Sequence, residues 1–167
     1  MSEANEARAL VSLTLSFQPL AEQIAGLRGV VSDLCQPHLT AAELSRVLLA
    51  THELLENIVK YSTGEHAEFH CRVTATGAGF QVRLRTKNRT HPDRMADAQR
   101  RLDAIAAAGD AVAHYDELIR AAAGRRDGSG LGLARIPAES DMPLRYATEQ
   151  DWLILTAECE TPARGAR

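Results

Sequence analysis

The run His52-Glu53-Leu54-Leu55-Glu56-Asn57-Ile58-Val59-Lys60-Tyr61-Ser62 decides how the rest of the chain is read. It ends a helix that begins at Thr40 and Glu43, a capping box in which each side chain satisfies a free amide of the first turn. At about 100° per residue, Leu44, Val47, Leu48, Thr51, Leu54, Leu55 and Ile58 gather on one side of that helix. Glu53, Asn57 and Lys60 stand at i, i+4 and i+7 on the opposite side, placing an anion, an amide and a cation on successive turns. This spacing also fits an ordinary solvated face, where Glu and Lys are common. Asn57 does not fit it: asparagine is a poor mid-helix residue, and solvation gives no reason to choose one.

The elements around this helix follow from periodicity. Before it, Val11, Leu13, Leu15 and Phe17 alternate with Ser12, Thr14 and Ser16, which predicts a half-buried strand over 9–17 that Pro19 ends. Helical spacing of Leu20, Ile24, Leu27, Val31 and Leu34 predicts a helix over 20–35, closed by Pro37. After it come two strands, 67–75 and 80–86, joined as a hairpin at Gly77 and Gly79. Alanine-rich helices are expected over 92–108 and 114–123, separated by Gly109-Asp110. The glycine-rich Asp127-Gly128-Ser129-Gly130-Leu131-Gly132-Leu133 then leads into a short helix that Pro137 should end or kink. Strands at 144–147 and 152–158 complete a set of five. Because the strands and helices do not alternate strictly, the expected class is α+β, a two-layer α/β sandwich with a mixed, mostly antiparallel sheet and helices on one face. A single domain over 9–158 is expected, with flexible ends at 1–8 and 159–167.

Composition narrows the function classes. The chain has 167 residues, 45% hydrophobic and 25% charged, the balance of a globular domain rather than a disordered one. No apolar run approaches the roughly 20 residues of a membrane span, and the acidic, polar start carries no secretory signal, so a cytoplasmic protein is expected. A net charge of -3 gives no general attraction to nucleic acid or anionic membrane. Of the 19 basic residues only Lys60 and Lys87 are lysines, which asks whether either sits where a compact ammonium is needed instead of a planar fork. Cys35, Cys71 and Cys159 form no metal or disulfide pattern. His66 and His70 fall on a predicted strand, roughly 13 Å apart, too far to share one metal.

The stretch from His52 to Ser62 resembles the N-box of the GHKL superfamily, which includes histidine kinases, gyrase-type ATPases and anti-sigma-factor serine kinases. His52, Glu53, Asn57, Lys60, Tyr61 and Ser62 fit its histidine-kinase form. The resemblance implies that Asn57 holds Mg2+ through its amide oxygen, that Lys60 contacts a phosphate of ATP, and that Glu53 is the general base. The later glycine segment is similar to the superfamily's second glycine box. Its alternate glycines let backbone amides converge on phosphate at a helix start, which assigns Gly128, Ser129, Gly130, Leu131 and Gly132 to the nucleotide.

One box is altered. The D-x-G-x-G that normally follows the strand after the N-box, and supplies an Asp to adenine, is replaced by Arg85-Thr86-Lys87-Asn88-Arg89-Thr90-His91-Pro92. Asn88 offers one amide acceptor in its place. An altered first box followed by a helical insertion is similar to the SiaB-type protein kinases of bacteria. The resemblance therefore implies an ATP-dependent Ser/Thr kinase acting on a small regulatory protein, anti-sigma-antagonist-like or SiaC-like, with homodimerisation a family expectation. The alternative is a GHKL-fold binding module that sequesters a partner without turnover. A histidine-kinase catalytic domain fits less well, since no dimerisation helix pair or phosphoacceptor segment is recognised ahead of it.

Overall fold

The computed structural model describes residues 9–123 and 130–162. In chain order the elements are β1 (Ala9–Phe17), α1 (Gln23–Cys35), α2 (Ala41–Tyr61), β2 (Ser62–Ala75), β3 (Gly79–Thr90), α3 (Pro92–Ala107), α4 (Ala111–Ala122), α5 (Leu131–Ser140), β4 (Leu144–Glu149) and β5 (Trp152–Pro162). The strands make one sheet in the order β1-β2-β3-β5-β4. Every pairing in it is antiparallel, so the mixed component of the expected sheet is corrected. The β2–β3 and β4–β5 pairs are hairpins, and a hairpin can only be antiparallel.

Alternation sets the two faces of the sheet. Val11, Phe69, Cys71, Val73, Val82, Leu84, Leu153, Leu155 and Ala157 are buried beneath the helices. The other face carries polar groups such as Thr14, Arg83 and Glu158, with Arg83 and Glu158 paired across β3 and β5. Four strands outrun their expected bounds, β2 starting five residues early at Ser62 and β4 running two residues on to Glu149. β3 continues four residues past Thr86 to Thr90, and β5 reaches Pro162 because Gly79, Phe80 and Gln81 pair with Pro162, Thr161 and Glu160.

α2 is central. Its apolar stripe, including Val47, Leu54, Leu55 and Ile58, lies on the sheet. The capping box forms as expected, with Thr40 Oγ1 accepting from the Glu43 amide and Glu43 Oε2 from the Thr40 amide. The opposite side of α2 is not solvated, because α5 packs over it. Glu53 is 8% exposed and Asn57 5%, leaving only Lys60 of the polar line in the open.

The segment between the two boxes is helical, as α3 and α4. α4 begins at Ala111, ahead of the expected start, because Asp110 Oδ1 accepts from the amides of Val112 and Ala113. Pro137 does not end α5, which continues to Ser140. Proline removes one intrahelical bond, and burial of Leu133, Ala134 and Ile136 against the neighbouring helices offsets that loss. Asp141, at φ 56°, turns the chain out of the helix.

Candidate nucleotide site

A cavity of about 250 Å3 lies between α2, α3 and the start of α5. It is lined by Glu53, Asn57 and Lys60 from α2 and by Gly130, Leu131 and Gly132 from the glycine segment. The α2 residues converge because i, i+4 and i+7 share a face, and the glycine segment faces them because α5 packs along that side of α2. Gly128 and Ser129 lie outside the described residues. Asn88 is fully buried and does not line the cavity, although Thr90, to which its Nδ2 donates at 3.0 Å, does.

Glu53 is fixed from two directions. Arg135 Nη1 on α5 donates to Glu53 Oε1 at 3.0 Å, and the same guanidinium donates through Nε to Glu139 Oε2 at 2.8 Å. Bonding to Glu139 first, then to Glu53, holds the Arg135 proton more tightly than usual. The other Glu53 oxygen lies so close to Gly132 that any side chain there would overlap it. Gly130, at φ 106°, is the residue ahead of α5 and has Arg101 pressed against its Cα.

Lys60 Nζ donates to Glu56 Oε2 at 2.7 Å, and Glu56 Oε1 lies 3.4 Å from His52 Nε2. That bond raises the Lys60 pKa and lowers that of Glu56. Arg94 donates to the carbonyl of Lys60 at 3.0 Å and sits over the Tyr61 ring at 5.9 Å. Tyr115 from α4 also lines the cavity, its phenol pushed up chiefly by burial and next by Glu139.

Lys60, Arg94, Arg101 and Arg135 thus surround a pocket that also holds Glu53, Glu56 and Asp97. Four cations suit a polyphosphate, and glycine amides at a helix start suit its oxygens. The sequence reading missed Arg94, Arg101, Arg135, Thr90 and Tyr115. Only their positions in the fold set them apart, since arginine is common throughout the chain.

Residues 17–153 match the histidine kinase-like ATPase domain family. The chain belongs to that family. Among curated proteins, no sequence matches this one. The fold of this family member resembles that in the crystal structure of the SiaB-SiaC complex from Pseudomonas aeruginosa, with TM-score 0.62 and 18% identity over 92% of this chain and 91% of that one. It also resembles the RsbU and RsbW domains of Rv1364c from Mycobacterium tuberculosis, with TM-score 0.59 and 12% identity over 92% of this chain and 34% of that one. The second match therefore spans about a third of a longer protein. No helix among the described residues is long and apolar enough to cross a membrane.

Proposed function

We propose that this family member is an ATP-dependent Ser/Thr protein kinase that phosphorylates a small regulatory protein in a bacterial partner-switching pathway. The observation that carries the reading is the convergence of Glu53, Asn57, Lys60 and the Gly130–Gly132 segment on one cavity. Family membership and a fold shared with a SiaB-SiaC complex and with an RsbW domain support it.

The donor set fits magnesium that arrives with its nucleotide. Asn57 lines the cavity, 5% exposed, and its amide oxygen is the kind of hard oxygen donor that magnesium takes. Among the described residues no three His, Cys, Asp or Glu side chains form a cage of their own. Magnesium is typically held by one or two protein ligands with phosphates and water completing the shell, and bound there it neutralises charge on the phosphates. Asn57 would supply the protein ligand. Lys60 and the glycine-segment amides would hold the phosphates, with Arg94 at the rim.

Glu53 would accept the proton of the partner's hydroxyl as that oxygen bonds to the γ-phosphorus and the bond to ADP breaks. Arg135 orients the carboxylate for this. On this reading the kinase works in the cytoplasm, singly or as a homodimer. A second reading, a module that holds its partner without turnover, is favoured by one observation. The carboxylate expected to read adenine is replaced by Asn88, which does not line the cavity.

Phosphoryl transfer separates the two. With γ-labelled Mg-ATP and an extract of the source cells, the wild-type protein should label a small protein on Ser or Thr. Glu53→Gln should bind Mg-ATP as well as wild type but transfer phosphate at least ~100-fold more slowly. Bound nucleotide without transfer by wild type would leave the module, and equal rates in both proteins would remove Glu53 as the base.

A further inference from the structure

The face of the sheet turned away from the helices carries more cations than its own carboxylates engage. Arg72 alternates with the buried Cys71 and Val73, Arg85 with Leu84 and Thr86, and Arg145 follows the buried Leu144, so all three side chains point to that face. Arg83, Lys87 and Arg89 share it, and each meets a carboxylate. Arg83 pairs with Glu158, Lys87 with Glu149 at 3.1 Å and Arg89 with Asp151 at 3.5 Å. Among the described residues no carboxylate pairs with Arg72, Arg85 or Arg145.

Cross-strand register gathers these charges. Arg72 stands directly opposite Arg83. Arg85 stands between His70 and Thr156, and Arg145 is opposite that same Thr156. Like charges directly opposite one another destabilise a sheet. The described helices pack on the other face, so solvent alone screens the repulsion, and an anionic surface laid here would relieve it.

The same face has an apolar floor. Ile154 points to it between the inward Leu153 and Leu155, and although only 5% exposed it stands apart from the core beneath the helices. Trp152, two residues along β5, has Lys87 Nζ 5.1 Å and Arg89 Cζ 5.0 Å from its ring. Tryptophan and arginine are the side chains that dominate binding energy between proteins. A nucleic acid fits less well, because Glu68, Glu149 and Glu158 interrupt the cations and a single tryptophan makes a poor platform for stacked bases.

We propose that this open sheet face docks an acidic surface of a partner protein, whose carboxylates meet Arg72, Arg85 and Arg145 beside Trp152. The face lies across the sheet from the nucleotide cavity, so the contact leaves the cavity open and does not depend on the nucleotide reading.

The test titrates oligoglutamate into the full chain, with oligouridylate of matched charge and phosphatidylglycerol vesicles as competing polyanions. Binding is read by calorimetry and located by the fluorescence of Trp152, the chain's one tryptophan. In wild type, oligoglutamate should bind and shift the Trp152 emission, and the other two polyanions should bind at least about tenfold more weakly. The double variant Arg72→Glu, Arg85→Glu should bind oligoglutamate at least about tenfold more weakly than wild type. Arg72→Thr removes a repulsion from the free protein, so its Tm should rise about 1–3 °C at low salt, a gain that shrinks at high salt.

No binding of oligoglutamate would overturn the inference, as would binding that leaves Trp152 emission unchanged or survives in the double variant. Tighter binding of oligouridylate or of vesicles would assign the face to nucleic acid or to membrane and overturn it too. So would a wild-type dimer, seen by sedimentation, that the double variant abolishes. Should the double variant fail to fold, the Arg72→Thr melt decides: a lower Tm at low salt would refute the uncompensated charge on which the inference stands.

Discussion

Gly132→Ala should nearly abolish phosphoryl transfer while leaving the protein folded. Gly132 is the second residue of α5, where alanine is the better helix former by up to about 1 kcal/mol. On helix propensity alone the substitution stabilises. Its Cβ, however, would sit 3.5 Å from Glu53 Cδ and overlap Glu53 Oε2 by about 1 Å relative to ordinary contact. The carboxylate ends a flexible side chain, so it turns aside at little cost in strain. In doing so it loses the 3.0 Å bond from Arg135, which keeps its second bond to Glu139.

Losing one charged hydrogen bond at a mostly buried carboxylate costs about 1–3 kcal/mol, partly offset by the helix gain. The net change is roughly 0–2 kcal/mol, or a fall of at most ~8 °C in Tm. Misplacing a catalytic group by about 1 Å is worth roughly a hundredfold in rate. The assay pairs thermal melting with transfer of labelled γ-phosphate. Gly132→Ala should behave like Glu53→Gln, with Mg-ATP bound and transfer slowed about a hundredfold. A folded variant transferring within tenfold of wild type would refute the argument that Gly132 exists to seat Glu53.

Lys60→Arg preserves charge and can still reach Glu56, so melting should be unchanged. Nucleotide affinity should fall several-fold, because a planar fork replaces the compact ammonium at the phosphate end; an unchanged Kd would remove Lys60 from phosphate binding. The Glu56–Lys60 pair also fixes a pH dependence. The Lys60 hydrogen bond lowers the Glu56 pKa in the folded state, so its contribution is present above the unfolded carboxylate range and lost as pH falls through the lower folded value. The raised Lys60 pKa acts at the other end, its contribution full below the ordinary lysine value and lost as pH rises through the higher folded one. Both side chains are substantially exposed, so Glu56→Gln should cost about 0.5 kcal/mol, or 1–2 °C, at pH 7. That difference should shrink as pH falls through the lowered Glu56 pKa and vanish once the carboxyl is protonated in both states, and a gap that stays constant throughout the acid titration would show that the ion pair is not its source.

Much of the fold could be read directly because local signals and tertiary structure agree. β1 alternates cleanly and has the expected bounds, and the Thr40–Glu43 box starts α2 where it should. Where expectation and structure part, long-range packing decides. β3 and β5 extend each other by pairing, which neither strand's own residues announce. Pro137 is a strong local stop signal overruled by the burial of Leu133, Ala134 and Ile136.

The site shows the same division. Glu53, Asn57 and Lys60 stand out by their spacing on one helix, and Asn57 is the residue whose poor helix propensity hinted at burial. Arg135 reaches Glu53 across 82 residues of sequence, and no periodicity carries that information. In a chain that writes nearly every cation as arginine, Arg94, Arg101 and Arg135 look like background until the helices bring them together.

The most direct test is titration of Mg-ATP into wild type and Asn57→Ala. The predicted result is one nucleotide per wild-type chain, bound only with magnesium present, and loss of that magnesium-dependent binding in the variant. No detectable binding to wild type at millimolar Mg-ATP would contradict the account.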